Sequence, residues 1–158
     1  KFRYQSDPYT NIGEFIKSIR EETPDDLQYL ISDTFEKITL YENKAKEAYA
    51  IENEDGTFTV TMEIEVKKVY SDSVGNQTDA KLNDWLEIGI MGEKLVDGKM
   101  NEFPIYLEKV FVTDTLKTFN VRVDQKPLKA GIDPMNKFVD RDTRDNLVRV
   151  SIKNKKSS

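Results

Sequence analysis

From about residue 37 onward, apolar and polar residues alternate with a period of two, and this pattern restricts the fold more than any other feature. The clearest example is FTVTMEIEV at residues 58–66, where every second residue is apolar and the residues between are Thr or Glu. Such alternation is typical of a strand with one buried and one solvated face. Residues 85–90, 117–123 and 146–152 repeat it. The sequence therefore predicts a mainly β protein, a seven-or-so-stranded antiparallel β-sandwich of the immunoglobulin-like class.

Residues 43–66 predict a β-hairpin. Asp55-Gly56 is a favoured pair for a two-residue type I′ turn. Turn chemistry and alternation would then select one register. The facing pairs in that register are Ile51 with Val60, Tyr49 with Met62, and Ala45 with Val66.

Residues 10–36 predict two short α-helices before the strands. Apolar residues recur at the helical spacing of three and four along both segments. Thr10 or Asn11 would cap the first helix, and Thr23 would cap the second with Pro24 at its first position. The apolar stripes are Ile12, Phe15, Ile16 and Ile19 in the first helix, and Leu27, Leu30, Ile31 and Phe35 in the second.

The predicted domain organisation has three parts. Residues 1–36 are the helical tail of a preceding domain, residues 37–152 are the β-sandwich, and residues 153–158 are a basic, solvated tail. Two helices are too small to form a core of their own, so they must pack on the sandwich or on another part of a longer protein. The chain begins at Lys1 without an initiator Met or a signal peptide, which suggests a piece of something longer.

Composition excludes several kinds of site. The 158 residues contain no His and no Cys, which removes Ser-His-Asp triads, His-ligated zinc, thiolate metal sites and disulfides. A formal net charge of −5 argues against nucleic-acid binding. No apolar run approaches the roughly 20 residues that span a bilayer. We predict no catalytic residue, no metal ligand, no cofactor and no small-molecule ligand for this chain.

The acid-rich stretch GIDPMNKFVDRDTRDN, residues 131–146, is the main candidate for chemistry. Asp140, Asp142 and Asp145 have neither the acid spacing of an EF-hand calcium loop nor the Gly that such a loop has after its first acids. Asp and Asn side chains bond nearby backbone N–H groups in turns, and alternating Arg residues offset the acids locally. We interpret the stretch as a connector that prepares the last strand, with calcium binding as the alternative.

Two other kinds of site have weaker signals. A glycosidase needs two opposed carboxylates, and the 29 acidic residues single out no pair. Trp85, Tyr70 and Tyr106 could form a sugar-stacking platform, although a single Trp beside a strand is more often part of the core. The expectation is that Trp85 is buried.

Two stretches read together resemble a known family. Residues 23–48, TPDDLQYLISDTFEKITLYENKAKEA, resemble the junction at which the catalytic domain of an aminopeptidase N-type zinc peptidase passes into its next domain. Residues 123–150 resemble the last strands of that next domain, a small β-sandwich. The motif there reads Asp133-Pro134, Phe138-Val139-Asp140 and Asp145-Asn146. The sequence is especially similar to a bacterial subgroup in which the peptidase-like region is fused to an ABC-type transporter permease. The resemblance covers residues from about 22 to 152.

The resemblance implies a non-catalytic role. The zinc ligands and general base of the family lie upstream of this junction, so none can be carried over to this sequence. We expect an accessory domain that supports a preceding peptidase-like domain of the same chain, in a membrane-anchored parent, on the extracytoplasmic face of a bacterial membrane. The alternative is a freestanding immunoglobulin-like module that binds glycan or protein at the cell surface.

Overall fold

The computed structural model describes residue 9 and residues 11–153. Its helical segments are α1 (Ile12–Glu22), a 3-10 turn (Asp25–Leu27), α2 (Gln28–Ile31), a π turn (Ser32–Glu36) and a late 3-10 turn (Thr143–Asp145). The strands are β1 (Ile38–Glu52), β2 (Phe58–Ser71), β3 (Gln77–Asp79), β4 (Asp84–Val96), β5 (Lys99–Val112), β6 (Leu116–Val123), β7 (Lys129–Ile132), β8 (Leu147–Arg149) and β9 (Ser151–Lys153). The chain is mainly β, with two sheets preceded by short helices, as the alternation predicted.

The chain forms two compact units. Among the described residues, the helical unit comprises residues 9, 11–39 and 70–78, and the sandwich unit comprises residues 40–69 and 79–153. Of the predicted basic tail, only Lys153 lies among the described residues, where it belongs to β9.

The two sheets have the orders β3-β2-β1-β9, with β6 also paired to β2, and β5-β4-β7-β8. The predicted last strand is divided, because β8 pairs with β7 whereas β9 pairs with β1 in the other sheet. Val150, between them, donates its N–H to Leu128 O at 2.9 Å. The β1–β9 pairing is parallel, which the alternation did not predict for this antiparallel β-sandwich. The contact arises because the last strand changes sheets.

The core of the sandwich unit lies between the inward faces of the two sheets. The predicted inward residues of β2, β4 and β6 are confirmed: those of β2 and β4 are buried, and so are Val121 and Val123 of β6, while Phe119 packs partly buried against them. Each fully buried apolar side chain stabilises the fold by roughly 1.5–3 kcal/mol. The large apolar residues with 0% or 1% exposure are Val60, Met62, Ile64, Val66, Val69, Leu86, Ile88, Ile90, Val112 and Ile132.

The predicted register of the first hairpin is wrong. The Asn53 N–H donates to Thr57 O at 2.8 Å, and the Gly56 N–H donates to Asn53 O at 3.0 Å. The loop therefore has three residues, and only Gly56 in it has a positive φ, of 80°. This one-residue change reverses the faces of β1 near the turn. Ala48 and Ala50 are buried, whereas Tyr49 and Ile51 are half-exposed.

A type I′ geometry occurs instead at Asp97-Gly98, where both residues have positive φ, 50° and 74°. Val96 and Lys99 pair directly across this turn. Residues on both sides of this turn thus belong to one long hairpin, formed by β4 and β5. Asp-Gly thus occurs both in a three-residue loop and in a two-residue type I′ turn, and the pairing of the flanking strands determines which of the two forms.

The helical segments differ in their regularity. Asn11 caps α1 as predicted, in a capping box with Glu14; Thr10, the other candidate, lies outside the described residues. Thr23 ends α1 rather than starting the next helix, because its hydroxyl donates to Ile19 O at 2.7 Å. The second predicted helix is a succession of 3-10, α and π turns instead of one α-helix.

Candidate functional site

The acid-rich loop is held together by its own Asx side chains. Asp140 accepts from the N–H groups of Asn43 and Asp142, both at 3.1 Å. The amide nitrogen of Asn146, oriented so that both of its ends are satisfied, donates to Asn43 O at 3.1 Å and to Asp140 Oδ2 at 3.0 Å. These bonds tie the loop to β1 just before β8. The arrangement is that of a connector leading into the last strands.

Asp133 forms the first turn of this loop and is fully buried. Its φ of 42° lies in the left-handed region that Asp tolerates better than most residues. The carboxylate accepts from the N–H groups of Lys137 at 2.8 Å and Phe138 at 3.0 Å. Burial raises the pKa of Asp133, these two hydrogen bonds oppose the rise, and the charges of Asp140 and Glu87 add to it.

We expect the raised pKa of Asp133 to make the folded state less stable as pH increases. The folded state holds the proton more tightly than the unfolded state, so stability falls between the ordinary carboxyl pKa and the raised one. The Asp133→Asn variant should lose this slope, and should lose about 1–3 kcal/mol because one N–H loses its acceptor. Urea unfolding at a series of pH values from the ordinary carboxyl pKa up to neutral pH measures both effects. Identical pH profiles for the two proteins would refute the assignment.

Asp142 lies on the exposed side of the loop. Arg144 donates to it through Nε at 2.7 Å and Nη2 at 2.8 Å, and through its backbone N–H at 3.1 Å. The side-chain hydrogen bond from Arg144, then the backbone one, lowers the pKa of Asp142 to about 2.

In the Arg144→Ala variant, we expect the pKa of Asp142 to rise from about 2 toward the usual carboxyl range. Carbon-detected NMR titration of the Asp142 carboxyl reports it directly. Arg149→Ala, which removes an exposed guanidinium on β8, is the control and should leave the Asp142 titration in place. Thermal stability should change little, because this pair is exposed to solvent.

A polar cleft of about 350 Å³ lies beside the loop. Two ion pairs join residues of its lining, Arg141 with Glu42 at 3.4 Å and Lys44 with Asp145 at 3.7 Å. Asn43 also borders the cleft but is buried at 2% exposure, on the opposite phase of β1 from Glu42 and Lys44. Across residues 9 and 11–153, no group of three or more acidic side chains is placed to hold a metal ion.

The three aromatic residues of the possible sugar platform have different surroundings. Trp85 is 46% exposed, so its expected burial is wrong; its ring lies 5.3 Å from that of Phe111, its cross-strand partner on β5. Tyr106 packs against the sandwich core. Tyr70 belongs to the helical unit and donates to Asp33 at 2.9 Å. What remains of the possible sugar platform is the aromatic pair of Trp85 and Phe111 at the surface.

The helical unit exposes much of its apolar surface. No residue of α1 is buried, although its apolar residues share one face. Ile12 is 66%, Phe15 47% and Phe35 43% exposed, and the two Phe rings meet edge to face with centroids 5.9 Å apart. Ile31 is the buried member of the predicted second stripe. An open, mainly apolar groove of about 360 Å³ follows, with Ile19, Pro24, Leu27, Leu30, Ile31 and Phe35 among its walls.

Polar contacts hold this unit together. Arg20 donates to Gln28 Oε1 at 3.2 Å and to Glu36 Oε1 at 2.6 Å. Gln28 in turn donates to the backbone oxygens of Arg20 and Thr23 at 2.8 and 2.7 Å. The hydrogen bonds of Arg20 and Ser32 lower the pKa of Glu36. These polar contacts join the end of α1 to the turns that follow it, while several apolar side chains of the unit remain exposed.

The sandwich unit contains a buried ionic group that the sequence interpretation missed. Lys68 on β2 and Asp84 on β4 are 3% and 1% exposed, and Lys68 Nζ lies 2.8 Å from Asp84 Oδ1. The Tyr41 hydroxyl donates to the same oxygen at 3.0 Å, and the Asn83 N–H donates to Asp84 Oδ2 at 3.0 Å. Buried charges are rare unless paired in this way.

A sequence signal for this group exists. Lys68 continues the inward phase of Phe58 to Val66, and Asp84 precedes the inward phase of Leu86 to Ile90 by two residues. A charged residue at an inward-facing position of a strand predicts a buried charge. Two such residues of opposite charge predict a buried ion pair. The signal is easily overlooked because each charged residue lies at one end of the inward-facing apolar positions of its strand.

No helix among the described residues is long and apolar enough to cross a membrane. Comparison of the chain with protein-family models, with curated proteins and with solved structures gave no significant match.

Proposed function

We propose that this chain is a non-catalytic accessory β-sandwich of a larger, membrane-anchored peptidase-like or transporter protein. In this proposal, the helical unit docks on a preceding peptidase-like domain of the same chain and supports its geometry. The parent would expose both domains on the extracytoplasmic face of a bacterial membrane. The resemblance of residues 23–48 to a junction of this kind is the reason for proposing a peptidase-like domain as the partner.

The exposed apolar face of α1 is the observation that carries the proposal. A helix with an apolar stripe normally buries it, since each exposed large side chain forgoes roughly 1.5–3 kcal/mol of transfer free energy. Here Phe15 and Phe35 stay more than two-fifths exposed beside an open apolar groove. Exposed contiguous apolar patches mark interaction surfaces.

The test uses the polypeptide encoded immediately upstream of Lys1, produced separately and mixed with this chain. We expect binding by calorimetry, and at least tenfold weaker binding for Phe15→Glu. Lys17→Glu is the control. This substitution changes the net charge more than Phe15→Glu does, but Lys17 lies about 200° around the helix from Phe15, so we expect the variant to bind normally. Absence of an encoded upstream domain, or equal affinities of the two variants, would refute the proposal.

The second candidate is a freestanding immunoglobulin-like module that binds glycan or protein. The half-exposed Trp85, paired with Phe111 on a sheet surface, is the observation that favours it. Exposed aromatic rings can stack on sugar rings, and aromatic residues are enriched in the hot spots of protein interfaces. A glycan array should then give a signal that Trp85→Ala abolishes and that Leu95→Ala, at another exposed apolar position, retains. A blank array with the wild-type chain removes the glycan form of this candidate.

A further inference from the structure

Lys68 and Asp84 have the geometry of two groups placed for reaction as well as for pairing. Their side chains are 3% and 1% exposed, and Nζ lies 2.8 Å from Oδ1. Positioning of two reactants at such a distance is equivalent to very high effective molarities, on the order of 10⁵–10⁸ M when the alignment is favourable. The amine and the carboxyl cannot diffuse apart while the fold persists.

The surroundings supply hydrogen-bond donors to the carboxyl. Tyr41 OH donates to Oδ1 and Asn83 N–H to Oδ2, each at 3.0 Å. Donors fixed on a carbonyl carbon's oxygens stabilise the negative charge that develops when a nucleophile adds. The Tyr41 ring packs edge to face on Phe138 at 4.8 Å, and the Lys68 ammonium lies 5.8 Å from the centre of the Tyr41 ring. Aromatic walls of this kind keep water away from the pair.

We propose that Lys68 and Asp84 condense to an intramolecular amide bond. The first step is the transfer of a proton from the Lys68 ammonium to the Asp84 carboxylate along their hydrogen bond, which gives a neutral amine and a neutral acid. The neutral Nζ then adds to Cγ of Asp84, and the C–Oδ1 bond breaks as Oδ1 leaves. The nitrogen gives up two protons in all, the one transferred first and one after addition. Both depart with Oδ1 as one water, so no oxidant, metal or cofactor is consumed.

The bond would join the two sheets covalently. Lys68 is on β2, in the sheet of β1 and β9, and Asp84 is on β4, in the sheet of β5 and β7. The chain has no Cys, so a disulfide cannot perform this role. An amide between these side chains would restrict the unfolded chain as a disulfide does, and reducing agents would not break it.

Intact-mass spectrometry of the wild-type chain tests the proposal. We expect the folded protein to weigh one water less than its sequence, and protein held in denaturant from the time of synthesis to keep the full mass. Proteolysis should yield a branched peptide that joins Lys68 to Asp84. Lys68→Met and Asp84→Ala should keep the full mass, and Lys68→Arg provides the same control if either fails to fold.

One side reaction needs to be separated from this bond. Succinimide formation at Asp55-Gly56 or Asp97-Gly98 also removes one water, but it persists in Lys68→Met and leaves no branched peptide. A folded wild-type chain that retains its full sequence mass after several days, or a water loss mapped to an Asp-Gly pair alone, overturns the proposal. Neither result affects the docking role of α1, which is tested on a different unit of the chain.

Discussion

Replacing Asp84 with Ala is expected to lower the free energy of unfolding by about 3–5 kcal/mol. The substitution removes the Asp84 carboxylate from the Lys68 ammonium, which is buried at 3% exposure, and removes an acceptor of the Tyr41 hydroxyl. Loss of one partner of a buried ion pair is far more destabilising than loss of a surface pair. Urea unfolding followed by circular dichroism measures the change.

The exposed pair Lys46–Glu65, with N–O distance 2.9 Å, is the matched control for this experiment. Both side chains are 41% exposed, so Glu65→Ala should have a much smaller effect. The double variant Lys68→Met, Asp84→Leu adds information. If only charge pairing is lost, apolar replacement of both partners should restore most of the stability; if the wild type carries an amide cross-link, the double variant should stay less stable. Equal effects of Asp84→Ala and Glu65→Ala would contradict the importance given to this pair.

Replacing Gly131 with Ala should destabilise the sandwich unit by about 3 kcal/mol or more, at or above the upper end of the usual range for overpacking. A Cβ at this position would lie 2.0 Å from Asn146 O and 2.9 Å from Ala45 Cβ. The carbonyl of Asn146 accepts from the Ile132 N–H at 2.9 Å, so it cannot move away without breaking that bond. Thermal and urea unfolding both report the loss.

Gly75→Ala separates steric overlap from backbone conformation. Gly75 has a φ of +91°, and a Cβ added there would meet no atom within 4 Å. Only the left-handed backbone therefore penalises the substitution, by roughly 1–2 kcal/mol. We expect Gly131→Ala to be clearly the more damaging of the two. A Gly131→Ala protein as stable as Gly75→Ala would show that β7 and the loop before β8 are not in contact as described.

Much of the fold follows from local pattern. The alternation in residues 58–66 and 85–90 assigns the correct inward faces, because each strand has one apolar and one polar side. The connector role of the acid-rich loop follows similarly from Asx turn chemistry, and Asp142 with Arg144 shows the expected pairing.

Errors arise where a local signal permits several outcomes. Asp-Gly occurs at 55–56 and at 97–98, but only the second pair has positive φ at both residues. The first adopts a three-residue loop, which moves Tyr49 and Ile51 off the buried face. The strand pairing on either side, and not the dipeptide, selects the loop.

The sequence by itself determined a two-sheet β fold after a short helical lead-in, and it ruled out sites that require imidazole or thiol. Only the tertiary structure decided that the last strand divides between sheets and that Lys68 meets Asp84. Periodicity reports which side of a strand avoids water, since that depends on neighbouring residues along one chain. Which strands adjoin, and which buried charges find partners, depends on contacts between segments distant in sequence, and these are fixed only when the sheets pack.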